Sequence, residues 1–168
     1  EAIEGLRITI SGCFNSCGQH HAADIGFYGN SRKVNGITVP HFQVVLGGQW
    51  RENAGSFGLA MGAVPSKNIP EVVERLSQRY IEERHKEESF HTYIQRMGKR
   101  NIKVMLDDLT AVPTFEENSW YYQDWGDTRT FTMDDLGVGE CAGEVVSATV
   151  MEIAAAEREV FEAQVHLE

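Results

Sequence analysis

The sequence predicts an α+β fold: a small sheet built around a hairpin, helices packed on one face of that sheet, and an acidic C-terminal extension ending in a helix. Three observations carry this expectation. Leu6–Ser11 alternates apolar and polar side chains with the period of a strand. Asn35-Gly36 sits between two apolar, strand-like runs, the strongest short signal for a tight hairpin. Apolar residues at helical spacing are concentrated after Pro70. Strands first and helices second read as helices covering one sheet face.

Taken in order, the Leu6–Ser11 strand runs into a turn rich in glycine and cysteine, and Gln19–Ala23 is a candidate short helix. Asp24–Val34 and Thr38–Gly48 form the hairpin, with Ile25, Phe27, Val39, Phe42, Val44 and Leu46 as its apolar positions. Gly47–Gly58 is a glycine-containing loop, read as a surface turn or as backbone able to approach a flat ligand. Leu59–Ala63 is a short strand. Pro70 opens a helix to about Glu83, with Val72, Val73, Leu76 and Tyr80 on one side. Ser89 is placed to cap a second helix that stops at Gly98. A third starts near Asn101 and carries Ile102, Met105, Leu106 and Leu109. Beyond Pro113 the aromatic run Trp120–Trp125 is read as packing, Gly137–Glu144 as a glycine-rich turn, and Val145–His166 as an amphipathic helix.

Charge divides the chain. Residues 1–104 hold 13 Lys/Arg against 10 Asp/Glu, whereas residues 105–168 hold 2 against 15, giving +3 and −13. This places a compositional boundary near Leu106–Pro113. So acidic an extension argues against nucleic acid and anionic membrane surfaces as partners. No apolar run approaches the ~20 residues of a membrane span. Three cysteines, an odd number, argue against a disulfide scaffold and for a reducing, cytoplasmic setting. Arg96, Lys99, Arg100 and Lys103 form a basic patch at helical spacing, read as a solvated face or a surface for an acidic partner. Asp107-Asp108 and Glu116-Glu117 are read as solvated carboxylates.

The chemistry-bearing stretch is Gly12-Cys13-Phe14-Asn15-Ser16-Cys17-Gly18-Gln19-His20-His21. Thiolates four positions apart select soft metals or clusters. Turning into a helix at the strand end would aim both at one centre. Two thiols alone do not complete a four-ligand site. The bland alternative is a pair of small buried apolar side chains. Another is a zinc or redox module that adds His20 and His21 to Cys13 and Cys17. Cys141 lies between Glu140 and Glu144, carboxylates that would raise its pKa and dull it as a nucleophile, so it is read as structural.

Ser11-Gly12-Cys13-Phe14-Asn15-Ser16-Cys17-Gly18-Gln19, followed by Ala23-Asp24-Ile25-Gly26-Phe27, resembles the second cysteine motif of the sirohaem-dependent nitrite and sulfite reductases, nearer the nitrite-reducing branch. Phe42–Gly48 and Val64–Leu76 are similar to the family's following strand and its Val-Pro-Ala-Lys loop and helix. The resemblance covers roughly residues 5–100. It implies that Cys13 and Cys17 are metal ligands of a 4Fe-4S cluster, with Cys17 also bridging to sirohaem. It implies that Asn15 and Gly18, with Cys17, lie against the cofactors, their amides tuning the cluster. Phe14 stands where the family has proline. His20 and His21 are candidates for approaching the sirohaem edge.

The upstream cysteine pair of the family is not in this sequence. The resemblance therefore implies a half-domain at 1–110, an acidic extension at 111–168, and a chain that is the C-terminal piece of an assimilatory reductase. As such it is expected to be inactive alone and to lack the cluster and sirohaem that the full-length enzyme carries. That enzyme would reduce nitrite or sulfite with electrons from a ferredoxin-like donor. A partner-binding domain acting through the acidic extension stands as a further alternative.

Overall fold

The computed structural model describes residues 2–50 and 55–133. The readings made for Gly137–Glu144, Cys141 and the helix at 145–166 lie outside the described residues. A compact unit runs from Glu1 to Thr132.

Four strands form one sheet in sequence order: β1 (Ile8–Ser11), β2 (Ile25–Val34), β3 (Ile37–Leu46) and β4 (Leu59–Pro65). The β2–β3 hairpin turns through Asn35 at φ 49° and Gly36 at φ 83°, both left-handed, which is the geometry tight hairpins select. β3 and β4 are also antiparallel, with an irregularity at Val44/Val45. β1 differs: it pairs with β2 in parallel, Ile8 opposite Ile25 and Ser11 opposite Tyr28. Parallel neighbours cannot be joined by a tight turn, so the chain must cross back over a sheet face between them. That crossing, residues 12–24, is the cysteine-bearing segment. Its position above the sheet follows from the strand pairing.

The helices are α1 (Ile69–Glu83) and α2 (Phe90–Leu106). Pro70 lies in the first turn of α1, where its missing N–H costs nothing. Ser89 caps α2, its Oγ accepting the Thr92 N–H at 3.2 Å. Gly98, at φ 73° and ψ 153°, breaks α2 into the two helical pieces expected from the sequence. The second piece ends at Leu106, and Leu109 falls in a 3₁₀ turn, Asp107–Thr110, rather than in the helix.

Both helices cover the same sheet face. Ile25, Phe27, Val44, Leu46, Met61 and Val64 meet Val72, Leu76 and Tyr80 of α1 and Phe90, Tyr93, Ile94, Ile102 and Leu106 of α2. Each fully buried aliphatic or aromatic side chain of this kind contributes about 1.5–3 kcal/mol by leaving water. Of the aromatic run expected to pack, only Tyr122 enters the core, and Trp120 and Trp125 stay exposed. Tyr122 is buried, Tyr121 donates to Asn68 Oδ1 at 2.8 Å, and the ammonium of Lys67 lies 4.6 Å and 4.7 Å from the rings of Trp120 and Trp125. Among the charged surface residues, Arg96 is engaged by both oxygens of Glu88 at 2.8 Å and holds that carboxyl down at about 2. Asp108 pairs with Arg75. No helix among the described residues is long and apolar enough to cross a membrane.

Candidate functional site

The cysteine segment leaves the carboxyl end of β1 and is built from consecutive reverse turns. Ser16 N–H reaches Cys13 O at 3.5 Å, Gln19 N–H reaches Ser16 O at 2.7 Å, and Ala22 N–H reaches Gln19 O at 3.1 Å. Ser16 and Gln19 take left-handed conformations, φ 61° and φ 57°. The chain therefore does not turn into a helix at the strand end, the condition under which the spacing of Cys13 and Cys17 alone would aim both at one centre. Left-handed residues at 16 and 19 cannot continue an α-helix, and the short helix expected over Gln19–Ala23 contracts to a 3₁₀ turn, His20–Ala22.

On this path Cys13 is half-buried and Cys17 is exposed, and both are free thiols. Asn15 is exposed between them. Neither cysteine is a buried apolar filler, so packing does not explain them. Gly18 fits where a side chain could not: an added Cβ would lie 2.8 Å from the carbonyl oxygen of Ile10 and 2.9 Å from Ser11 Oγ. Its amide donates to Ser11 Oγ at 3.1 Å. The Gly18 N–H, expected to tune a cluster, is thus committed to a side chain of β1.

His20 is buried and His21 is half-buried. His20 Nδ1 meets Ser11 Oγ at 2.9 Å, and its ring lies 4.7 Å from that of Tyr28. His21 Nδ1 is hydrogen-bonded to Ser16 Oγ, and its ring stands edge-on to Phe57 at 4.4 Å. Burial, and secondarily the neighbouring His21, hold the His20 imidazole below its ordinary range. The Nδ1 atoms of both imidazoles are thus engaged by serine hydroxyls. Among the described residues, no group of three or more His, Cys, Asp and Glu side chains is placed to hold a metal ion. The four-ligand zinc module of Cys13, Cys17, His20 and His21 is accordingly not formed.

Phe14, between the two cysteines in the chain, is 65% exposed, and Phe57, whose ring meets His21, is 68% exposed. Arg7 lies at the base of the segment, its guanidinium donating to Gln19 Oε1 at 2.8 Å and stacking 4.9 Å from the Trp50 ring. Two presented thiols can supply half of a four-thiolate ligand set, the remainder having to come from another segment. The Ser11–His20 contact was not legible from motif spacing. The one clue to it was the strand alternation, which places Ser11 on the same side as Thr9, away from the helices.

The family described as the nitrite and sulphite reductase 4Fe-4S domain matches residues 5–112. The chain is 33% identical over 101 residues to sulfite reductase (ferredoxin) 1 of Mycolicibacterium paratuberculosis, covering 58% of this chain and 18% of that protein. It is 37% identical over 71 residues to the ferredoxin–nitrite reductase of Synechococcus elongatus, covering 42% of this chain and 14% of that one. The solved structure of the Mycobacterium tuberculosis NirA protein superposes with a TM-score of 0.53 at 30% identity, covering 58% of this chain and 18% of that chain. The chain therefore spans less than a fifth of the length of these relatives. The family match takes in more than half of the chain, every strand, both helices and the cysteine turn, and the chain belongs to the nitrite and sulphite reductase 4Fe-4S domain family.

Proposed function

We propose that this chain supplies two of the four cysteine ligands of a 4Fe-4S cluster, through Cys13 and Cys17, within a reductase of nitrite or sulfite, and that Cys17 also joins the cluster to sirohaem. The observation that carries the reading is the presentation of both thiols, free and outside the core, on a turn at the carboxyl end of β1. The donor set fits: thiolates suit a cluster, and Phe14, exposed between the two cysteines, offers an apolar side chain to a bulky, partly apolar group. When bound, the cluster and sirohaem supply one-electron transfer and an iron at which the oxyanion is reduced. The chain's own residues do the rest. Cys13 and Cys17 hold, Gly18 seats the turn against the end of β1, and Asn15 lies between the ligands at the exposed edge of the turn.

Relatives named for sulfite and for nitrite both match, so the substrate class is a small oxyanion of sulfur or nitrogen. Both relatives are named with ferredoxin, and an acidic donor of that kind is part of the reading. Lys99, Arg100 and Lys103 are exposed on α2 for such a partner, whereas Arg96 is committed to Glu88. The reading places the protein in the cytoplasm, where thiolate ligands are kept reduced. The chain alone, holding half of the ligand set, is expected to be inactive.

The test is Cys17→Ser in the cofactor-loaded protein. Electron paramagnetic resonance and Mössbauer spectra should lose the magnetic coupling between cluster and sirohaem. Coupling retained at the wild-type level would contradict the assignment.

A further inference from the structure

Ser11 ends β1 with its side chain turned away from the helices and is buried. Its Oγ meets two nitrogens, Gly18 N at 3.1 Å and His20 Nδ1 at 2.9 Å. The protons can be assigned. The Gly18 amide can only donate, so Oγ accepts there. The hydroxyl carries one hydrogen, and directing it to Nδ1 satisfies the amide, the hydroxyl and Nδ1 together when His20 is neutral with its proton on Nε2. The neutral ring is also the form that burial favours at His20. The ring is fixed from its other side by Tyr28, and its backbone lies so close to β2 that a Cβ at Gly26 would stand 2.0 Å from the His20 carbonyl oxygen.

We propose that Ser11, backed by His20, is a positioning residue for Cys17 that also sets the cluster potential, because it withdraws the Gly18 amide from the Cys17 sulfur. This rests on the assignment of Cys17 as a cluster ligand. Backbone amides beside a ligating cysteine are the donors available to the cluster's sulfurs, and hydrogen bonds to those sulfurs stabilise the more negative, reduced state. With that N–H engaged by Ser11 Oγ, the cluster lacks one such bond and is the stronger reductant for it. The same bond ties the residue after Cys17 to the end of β1 and so fixes the direction of the thiolate.

The experiment is a spectroelectrochemical titration of the cluster in the cofactor-loaded protein. Ser11→Ala frees the Gly18 amide and should move the midpoint to more positive potential, and Ser11→Thr, which restores a hydroxyl, should return it to the wild-type value. An unchanged or more negative midpoint in Ser11→Ala would overturn the proposal. Should Ser11→Ala fail to fold or load, site-resolved hydrogen exchange of the wild-type protein decides instead: Gly18 should be strongly protected, and rapid exchange there would overturn it. Cys17→Ser serves as the control for the underlying assignment. If that variant keeps the wild-type cluster spectrum, the ligand reading fails, while Gly18 exchange still tests the clasp itself.

Discussion

At Gly26 a single methyl group would collide with the backbone of His20, 2.0 Å from its carbonyl oxygen and 2.7 Å from the carbonyl carbon. Both are main-chain atoms of a residue whose ring is held by Ser11 and Tyr28, which resists the shift a methyl group would demand. Gly26→Ala is therefore expected to destabilise the fold by about 3 kcal/mol or more, the upper range for one substitution, as read by urea unfolding. Stability within 1 kcal/mol of wild type would show that the turn is free to lift off β2. At this scale the sequence makes the two cysteines legible and leaves the residues that support their turn hidden. Cys13 and Cys17 stand out because thiols at short spacing have few other uses. Ser11 and His20 do not, because their contact spans a turn whose left-handed residues, Ser16 and Gln19, are not of the type that normally announces such a conformation. Sequence spacing alone cannot bring positions 11, 18 and 20 together.

At the scale of elements, the legible parts are those with local causes. Asn35-Gly36 fixes the hairpin, Ser89 starts α2, and Gly98 interrupts it. Gly98 takes a conformation that only glycine adopts at low cost, and an added Cβ meets open space. Gly98→Ala should thus cost about 1–3 kcal/mol through backbone strain alone. Thermal unfolding of the variant checks this, and an unchanged or raised melting temperature would mean that the break in α2 straightens without penalty. The parallel pairing of β1 with β2 had no local cause and was not foreseen. It depends on residues 12–24 finding the sheet face opposite the helices. That single non-local fact turns a loop carrying two cysteines into a segment braced on β1 and β2. The 3₁₀ turn at Leu109 is a smaller case, where Asn68 Nδ2 takes the Leu109 carbonyl at 2.8 Å and draws the chain out of the helix.

For the molecule as a whole, two buried histidines give a pH dependence whose sign follows from their environment. His20 is depressed by burial and then by His21. His41 is depressed by burial and by Arg32, against a raising hydrogen bond to the Val39 carbonyl. Unfolding releases both imidazoles to an ordinary pKa near 6.5, so below that pH the unfolded chain binds more protons than the folded one. Stability is expected to be fully present above about pH 6.5 and to fall as the pH drops toward the depressed folded values. Urea midpoints measured from pH 7.5 to 5 test this, and a midpoint that rises on acidification would contradict it. The same neutral His20 supports the turn that presents Cys17, so acid loss of stability and loss of the cysteine geometry should go together.

The central claim is that this fold exists to present Cys13 and Cys17 to an iron–sulfur cluster, with the other ligands coming from another segment. The most direct measurement is the iron, labile sulfide, tetrapyrrole and zinc content of the cofactor-loaded protein, purified without oxygen, beside its Cys13→Ser variant. The account predicts cluster iron, sulfide and sirohaem in constant proportion in the wild type, no stoichiometric zinc, and loss of cluster iron in Cys13→Ser. Stoichiometric zinc in place of iron, or a full cluster surviving in Cys13→Ser, would contradict it.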